Sequence, residues 1–161
     1  MGDVFFYHLT RSTLEQTLPM LLERALGRAW RVCVRGADAA RLEWLDRRLW
    51  EVPEEGFLPH GLAGGPHDAD QPVLLTTGQE VANGAACLVV IDGAPLDPAE
   101  VADFDRVCVV FDGNDPRAVE DARGLWRRVT GAGHGAQYWS EETGRWQKKA
   151  EAAPRGGGPS G

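Results

Sequence analysis

Short, nearly continuous apolar runs alternate along this chain with stretches in which apolar residues recur every three or four positions. The runs are typical of strands buried on both faces, and the spaced stretches of amphipathic helices. Strands are predicted at residues 3–9, 30–35, 73–77, 85–91 and 107–111, and helices at 12–28, 38–50 and 116–130. This alternation predicts an α/β fold, a single three-layer α-β-α domain with a mostly parallel central sheet.

The predicted helices carry capping and termination signals. Ser12 opens an S-x-x-E pattern, the capping box of a helix N-terminus, so the first helix is expected to be capped there. Asp38 is placed to cap the second helix. Asp115 followed by Pro116 is an N-cap and first-turn signal for the third helix, which Gly131 is expected to end.

The C-terminal part of the chain predicts a hairpin and then a tail. Residues 137–140 and 145–148 are strand-like and flank a Glu-Thr-Gly turn. Residues 151–161 are rich in Gly and Pro and have no packing pattern, so a flexible tail is expected there. The folded domain is therefore predicted to span residues 1–150.

Residues 51–72 show neither the continuous apolar runs of buried strands nor the three-to-four-residue spacing of amphipathic helices. An irregular segment of that length in a compact domain is usually functional or disordered. This segment contains Val52, Phe57, Leu58 and Leu62, and it follows Trp50 at the end of the second predicted helix. Disordered linkers are poor in such residues. The segment is therefore expected to be held against another surface.

The charge of the chain is distributed unevenly. Of the formal net charge of −7, residues 1–116 contribute −10 and residues 117–149 contribute +3. A protein that grips nucleic acid usually presents a broad basic face, whereas most of this chain would repel phosphate. A local basic patch on an acidic body suits a small acidic partner, so DNA is expected to be contacted mainly indirectly.

The sequence contains no membrane or export signal. No apolar run approaches the roughly 20 residues of a membrane span, and the N-terminus has no basic-then-apolar stretch. The protein is therefore expected in the cytoplasm. Cys33, Cys87 and Cys108 each lie in an apolar run without zinc or redox spacing, so buried reduced thiols are expected.

Motifs for common cofactors are missing from the sequence. No G-x-G-x-x-G follows the first predicted strand, and the glycines at 61–65 lack the Lys-Ser/Thr of a phosphate-binding loop. His8, His60, His67 and His134 are scattered without ligand spacing. No cofactor and no metal site is therefore predicted.

One group of carboxylates keeps an enzymatic alternative open. Asp92 and Asp112 each follow an apolar strand and precede Gly, and Asp115 is close behind. Carboxylates at strand ends can hold Mg²⁺, so a magnesium-dependent phosphotransferase or nuclease is the alternative function. Turn formation and helix capping explain the same residues and are favoured, because no nucleophile or basic pattern accompanies them.

The third predicted helix has a basic flank. Arg123, Trp126 and Arg127 stand together at i, i+3 and i+4, and no acid lies three or four residues from Arg127. Like charges at this spacing destabilise a helix by about 0.2–0.5 kcal/mol, a cost that an anion bound between them would recover. A solvated face with arginine stems packed on Trp126 is the structural alternative.

These features resemble the chi subunit family of bacterial DNA polymerase III. The matching motifs are Leu49-Trp50 at a helix end, F-x-P-H-x-L-A-G at 57–64, Pro72-Val73 before a strand, and A-R-x-x-[YW]-[KR] at 122–127. The resemblance implies an α/β domain that serves DNA replication as a non-catalytic accessory subunit of the clamp-loader complex.

The resemblance also implies two binding surfaces. In the family, the basic helix binds the C-terminal tail of single-stranded-DNA-binding protein, an acidic stretch that ends in Pro-Phe with a free carboxylate. This assigns tail binding to Arg123, Trp126 and Arg127. It likewise assigns Trp50 and Phe57 to binding of the small psi subunit or of a competing iron–sulfur helicase. From the residues alone, these two aromatic residues could instead form a lid on the core.

Overall fold

The computed structural model describes residues 2–51 and 60–154, apart from the side chain of Trp50. This part of the chain contains eight strands, three α-helices, and 3₁₀-helices at Asp68–Asp70 and Pro98–Asp103. The strands and α-helices are β1 (Asp3–Leu9), α1 (Leu14–Gly27), β2 (Val32–Arg35), α2 (Ala39–Glu51), β3 (Gly61–Leu62), β4 (Val73–Thr76), β5 (Cys87–Ile91), β6 (Arg106–Asp112), α3 (Pro116–Gly131), β7 (Ala136–Ser140) and β8 (Gln147–Ala152).

The strands form one sheet in the order β3-β4-β2-β5-β6-β1-β7-β8. Neighbouring strands are parallel from β3 to β7, whereas β7 and β8 pair antiparallel as a C-terminal hairpin. The predicted α/β fold with a mostly parallel sheet and a terminal hairpin is confirmed. The last strand continues to Ala152, past the predicted strand end at 148 and the predicted domain end at 150.

Helices cover both faces of the sheet. α1 and α2 pack on one face, where Leu18 and Leu45 are fully buried. α3 and the 3₁₀-helix Pro98–Asp103 cover the other face, where Leu125 and Val129 are buried. The strands β2, β4 and β5 are buried along their whole length, because both of their faces are covered. In the part of the chain described, no helix is both long and apolar enough to span a bilayer.

The first helix begins later than its capping pattern predicted. The N-cap is Thr13, not Ser12: the Thr13 hydroxyl accepts from the Gln16 amide at 3.3 Å, and the Gln16 side chain accepts from the Thr13 amide at 2.9 Å. The Ser12 hydroxyl instead donates to the Glu141 carboxylate at 2.8 Å. Gln and Glu both serve at the third helical position of a capping box, so this tertiary contact decides which box forms.

Part of the irregular segment is held against the domain, by strand pairing and a histidine and not by the apolar residues on which the prediction rested: Leu62 is exposed, and Val52, Phe57 and Leu58 lie outside the described residues. Strand β3 pairs with β4, and the Ala63 amide donates to the Leu75 carbonyl at 2.8 Å. His60 is buried, and its Nε2 lies 3.0 Å from the Asp46 carbonyl oxygen and 3.2 Å from Asp46 Oδ1. His60 therefore anchors the segment to helix α2.

The three cysteines are buried and unbridged, as their apolar surroundings predicted. Cys87 and Cys108 lie on adjacent strands and share a hydrogen bond between their side chains. This bond and burial both raise the pKa of Cys108 well above its ordinary value. Cys108 is therefore a protonated core thiol rather than a reactive one.

Candidate functional site

Helix α3 presents the basic flank that the sequence predicted. Leu125 and Val129 are buried against the sheet because they recur on one side of the helix. This rotation leaves Arg123 and Arg127 exposed and Trp126 half-buried. The three predicted tail-binding residues therefore lie together at the rim of the α3 face.

Trp126 is anchored by other aromatic rings. Its ring centroid lies 5.5 Å from that of Phe6 and 6.2 Å from that of Tyr138. The Tyr138 hydroxyl oxygen lies 2.7 Å from Nδ1 of His8. Tilted and edge-on rings at these separations attract each other beyond simple burial. Trp126 is thereby held at a defined angle with part of its surface open, which makes it a preformed apolar wall.

Arg127 has a loose intrahelical partner. Its Nη2 lies 3.9 Å from Oε2 of Glu120, and the two side chains are 68% and 67% exposed. Acids three or four residues from Arg127 are the neighbours that helical spacing predicts. This pair was not predicted, because Glu120 lies two helical turns earlier. An exposed pair of this kind contributes at most about 1 kcal/mol. A ligand carboxylate can therefore replace Glu120 at little cost.

Arg123 lies close enough to the aromatic cluster to act on it electrostatically. Burial raises the pKa of the Tyr138 hydroxyl, and the positive charge of Arg123 opposes that rise. Arg123 therefore places a positive charge near the aromatic cluster, and Arg127, whose guanidinium is directed toward Glu120, places a second one on the same flank of α3. This arrangement can bind an anion and an apolar ring at the same time.

The second predicted surface is described only in part. Trp50 lies near the end of α2, directly after the buried Leu49. Phe57 lies outside the described residues. The assignment of Trp50 and Phe57 to a second binding surface therefore stays a prediction.

A crevice lies at the carboxyl ends of the neighbouring strands β1 and β6. Their onward connections run in opposite directions, since α1 leads from β1 toward β2 and α3 leads from β6 to β7. Open α/β sheets commonly bind ligands at such a switch point. Here the crevice is a cavity of about 940 Å³, lined by the β1–α1 loop, the loop that follows β5, and α3 as far as Arg128.

The anion-binding position of this crevice is occupied by a side chain of the protein. The Glu141 carboxylate accepts hydrogen bonds from the backbone amides of Thr10, Arg11 and Ser12 at 3.1, 3.1 and 2.7 Å. Burial by itself would raise the pKa of Glu141, but these hydrogen bonds and that of the Ser12 hydroxyl together lower it. A phosphate at this loop would have to displace a buried, well-bonded carboxylate.

The strand-end aspartates form contacts with their own neighbours. Asp92 has φ of 53° in a tight turn, and its Oδ2 lies 3.1 Å from Nε of Arg41. Asp112 Oδ1 accepts from the Asn114 amide at 2.9 Å, and Asp115 caps α3 as predicted. In the described ranges, no three His, Cys, Asp or Glu side chains converge as metal ligands do. This geometry favours turns and a cap over the magnesium-dependent alternative.

Two residues that shape these surfaces were not identified from the sequence. Tyr138 supports Trp126, and Glu141 engages the backbone amides of the β1–α1 loop. Both are placed by the pairing of β7 with β1, which brings His8 and Tyr138, 130 positions apart, into contact. The one sequence signal was the predicted hairpin strand at 137–140, which contains Tyr138 but does not specify its partner.

Comparison with known proteins gives a consistent family assignment. A family model described as DNA polymerase III chi subunit, HolC, matches residues 1–137. The probable DNA polymerase III subunit chi of Rickettsia prowazekii (strain Madrid E) is 27% identical over 111 residues, which cover 69% of this chain and 66% of that protein. The DNA polymerase III subunit chi of Pseudomonas aeruginosa is 36% identical over 87 residues, which cover 54% of this chain and 58% of that protein. The chain thus spans less than two thirds of the length of either relative. Because the family model matches most of the sequence, including all of helix α3, the chain belongs to the DNA polymerase III chi subunit family.

Proposed function

We propose that this protein is a non-catalytic accessory subunit of the DNA polymerase III clamp-loader complex and links the replicase to single-stranded-DNA-binding protein. The link is the acidic C-terminal tail of that protein, bound on helix α3. Family membership supports a role in replication. The observation that carries the tail assignment is the half-open ring of Trp126, fixed by aromatic neighbours on the flank of α3 that also carries the exposed Arg123 and Arg127.

In the proposed complex, the charged groups of the tail contact arginines and its apolar terminal residue contacts Trp126. The planar guanidinium groups of Arg123 and Arg127 can hold the terminal carboxylate and the preceding acidic side chains through charge-assisted hydrogen bonds. The ring of Trp126 can pack against the terminal Phe of the tail. Since the contact area of a short peptide is small, affinity is expected in the micromolar range, about −8 kcal/mol.

A second protein surface completes the proposal. Trp50 and Phe57 bind the psi subunit or, in its place, an iron–sulfur helicase. Two features support this assignment. Trp50 at the end of α2 and Phe57 in the segment that follows form an aromatic pair in the sequence, and His60 anchors that segment to α2. In this scheme the protein joins two partners and has no active site of its own.

The test of tail binding is calorimetric titration of the full chain with a peptide ending in Asp-Asp-Ile-Pro-Phe, beside the same peptide amidated at its C-terminus. Saturable binding that is lost on amidation is expected, because the carboxylate provides the strongest contact. Equal binding of the two peptides, or binding of neither, would contradict the proposed site.

Charge-reversal variants distinguish binding at the proposed site from attraction by the overall charge of the helix. Arg127→Glu is expected to weaken peptide binding at least about tenfold, since it replaces a charge-assisted contact with repulsion. Arg117→Glu makes the same charge change at an exposed position in the first turn of the same helix, about 15 Å from Arg127 along the helix axis. It is expected to leave affinity within about twofold. A similar loss in both variants would show that the helix attracts the tail only by its overall charge.

A further inference from the structure

A second cavity lies on the face of the sheet opposite α3. Its volume is about 550 Å³, and it opens between α1, the starts of β5 and β6, and the β7–β8 hairpin. Among the described residues that line it there are five aromatic side chains, three arginines and no Asp or Glu. These aromatic and basic residues are Phe5, Tyr7, Trp30, Trp139, Trp146, Arg24, Arg28 and Arg106. The lining is therefore positively charged, although the chain as a whole has a net charge of −7.

Two of the three arginines of this cavity lie over aromatic rings, and none of the three pairs with a carboxylate of the described residues. The guanidinium carbon of Arg106 lies 4.2 Å from the ring centroid of Phe5 and 5.3 Å from that of Trp30. The guanidinium carbon of Arg28 lies 5.1 Å from the centroid of Trp30. Across residues 2–51 and 60–154, neither these two arginines nor Arg24 has a carboxylate oxygen within 4.0 Å. Their charges are therefore available to an incoming anion.

The indole rings of the cavity are held in place but not buried. Trp30, Trp139 and Trp146 pack on the core while remaining partly exposed. Trp146 meets Tyr7 edge-on at 5.6 Å, and Nε1 of Trp139 donates to the Gln137 side chain at 3.0 Å. Several flat apolar surfaces with fixed orientation therefore line one opening beside positive charge.

From this arrangement we infer that the cavity binds a short run of unpaired nucleotides of single-stranded DNA. Bases stack on aromatic side chains whatever their sequence, and arginines contact the backbone phosphates. An acidic peptide matches the charge but not the succession of rings. The volume lies within the range of pockets for small ligands, so it admits single bases and excludes a duplex.

This site goes beyond the proposed tail binding and does not depend on it, since α3 lies on the other face of the sheet. The acidic body opposes extended contact with phosphate, so binding is expected to be local and weak. With three arginines at the cavity, the logarithm of the affinity should fall with the logarithm of salt concentration with a slope of about −2.

The test follows tryptophan fluorescence of the full chain during titration with an oligothymidylate of about ten nucleotides. An abasic chain with the same phosphates is the matched ligand. Saturable quenching by oligothymidylate is expected, with binding of the abasic chain at least about fivefold weaker because stacking is lost. Equal affinity for the two chains would overturn the inference.

Two pairs of variants locate the binding. Arg28→Glu is expected to weaken oligothymidylate binding at least about threefold, whereas Arg47→Glu, the same change on the exposed side of α2, leaves it unchanged. Trp30→Ala is expected to remove the higher affinity that base stacking gives oligothymidylate over the abasic chain. Trp44→Ala is its control, since Trp44 is also half-buried, with Arg41 and Arg48 at 4.8 and 5.4 Å from its ring.

The variants also separate this site from the tail site. Arg127→Glu should leave oligothymidylate binding unchanged, so failure of one proposal does not imply failure of the other. If Trp30→Ala does not fold, the comparison of Arg28→Glu with Arg47→Glu decides the question. Equal losses in those two variants, or an effect of Arg28→Glu on binding of the acidic peptide alone, would overturn the inference.

Discussion

At the scale of single residues, Glu120 has the most direct influence on the proposed tail site. Its carboxylate lies 3.9 Å from Arg127, so it competes with any carboxylate that the ligand brings. Glu120→Gln removes this competition. We expect tail-peptide affinity to rise by up to about fivefold, which corresponds to the 0–1 kcal/mol of an exposed pair.

The control for this prediction is Asp121→Asn, which makes the same charge change at an exposed neighbouring position of α3. Calorimetry of both variants with the same peptide separates local competition from net charge. If Asp121→Asn raised affinity as much as Glu120→Gln, the pair seen in the structure would have no specific role in binding.

At the scale of elements, Glu141 joins the end of β7 to the β1–α1 loop. Its carboxylate is buried and accepts four hydrogen bonds from residues 10–12, which hold its pKa below the ordinary value of 4.5. A carboxyl whose pKa is lowered on folding stabilises the fold above its ordinary pKa. That stabilisation is lost as the pH falls through the lowered, folded-state pKa.

Glu141→Gln is therefore expected to lower the free energy of unfolding at pH 7 by about 1–3 kcal/mol. The difference from the unmodified chain should narrow as the pH falls through the folded-state pKa of Glu141, because its carboxylate then takes up a proton. Urea unfolding at a series of pH values from 7 downward measures this. Glu142→Gln, at the exposed next position, is the control. A difference that stayed constant with pH would mean that charge is not the source of the stabilisation.

At the scale of the whole molecule, one ion pair between a buried arginine and a partly buried glutamate ties two long connections to the sheet. Arg35, at the end of β2, is fully buried, and its two terminal nitrogens lie 3.0 and 2.9 Å from the Glu100 carboxylate. The same nitrogens donate to the Pro95 carbonyl at 3.1 Å and the Gln79 carbonyl at 3.0 Å. The segments on either side of β5 therefore depend on one guanidinium.

Removal of one partner of such a pair leaves an uncompensated buried charge. Glu100→Gln is expected to destabilise the whole domain by about 3–5 kcal/mol, with a matching fall in Tm. Asp103→Asn makes the same charge change at an exposed position of the same 3₁₀-helix and should have little effect. Thermal unfolding of the two variants tests this. If both shifted Tm equally, the exposed surface charge rather than the ion pair would be responsible.

Much of the fold was predictable because its determinants are local. The apolar runs identified β1 at its observed bounds and the other central strands to within two residues, since a strand buried on both faces needs uninterrupted apolar residues. Asp38 and Asp115 accept hydrogen bonds from amides two residues later, as their capping patterns predicted. The basic flank of α3 was predictable for the same reason, because helical spacing alone places Arg123, Trp126 and Arg127 together.

Other features depend on contacts between distant parts of the chain. The N-cap of α1 is Thr13 instead of Ser12 because Glu141, more than 120 residues away, engages Ser12. The pair of Arg127 with Glu120 required side-chain conformations that helical neighbour spacing does not describe.

By itself, the sequence determined the α/β architecture, the family motifs and the composition of the basic flank of α3. Each of these follows from residues close together along the chain. Only the tertiary structure decided the order of the strands, the aromatic support behind Trp126, the bonding of Glu141 to the β1–α1 loop, and the cavity that gathers Trp30, Trp139 and Arg106. The physical reason is that parallel strands pair through long crossover connections, so the residues that meet across them share no local pattern.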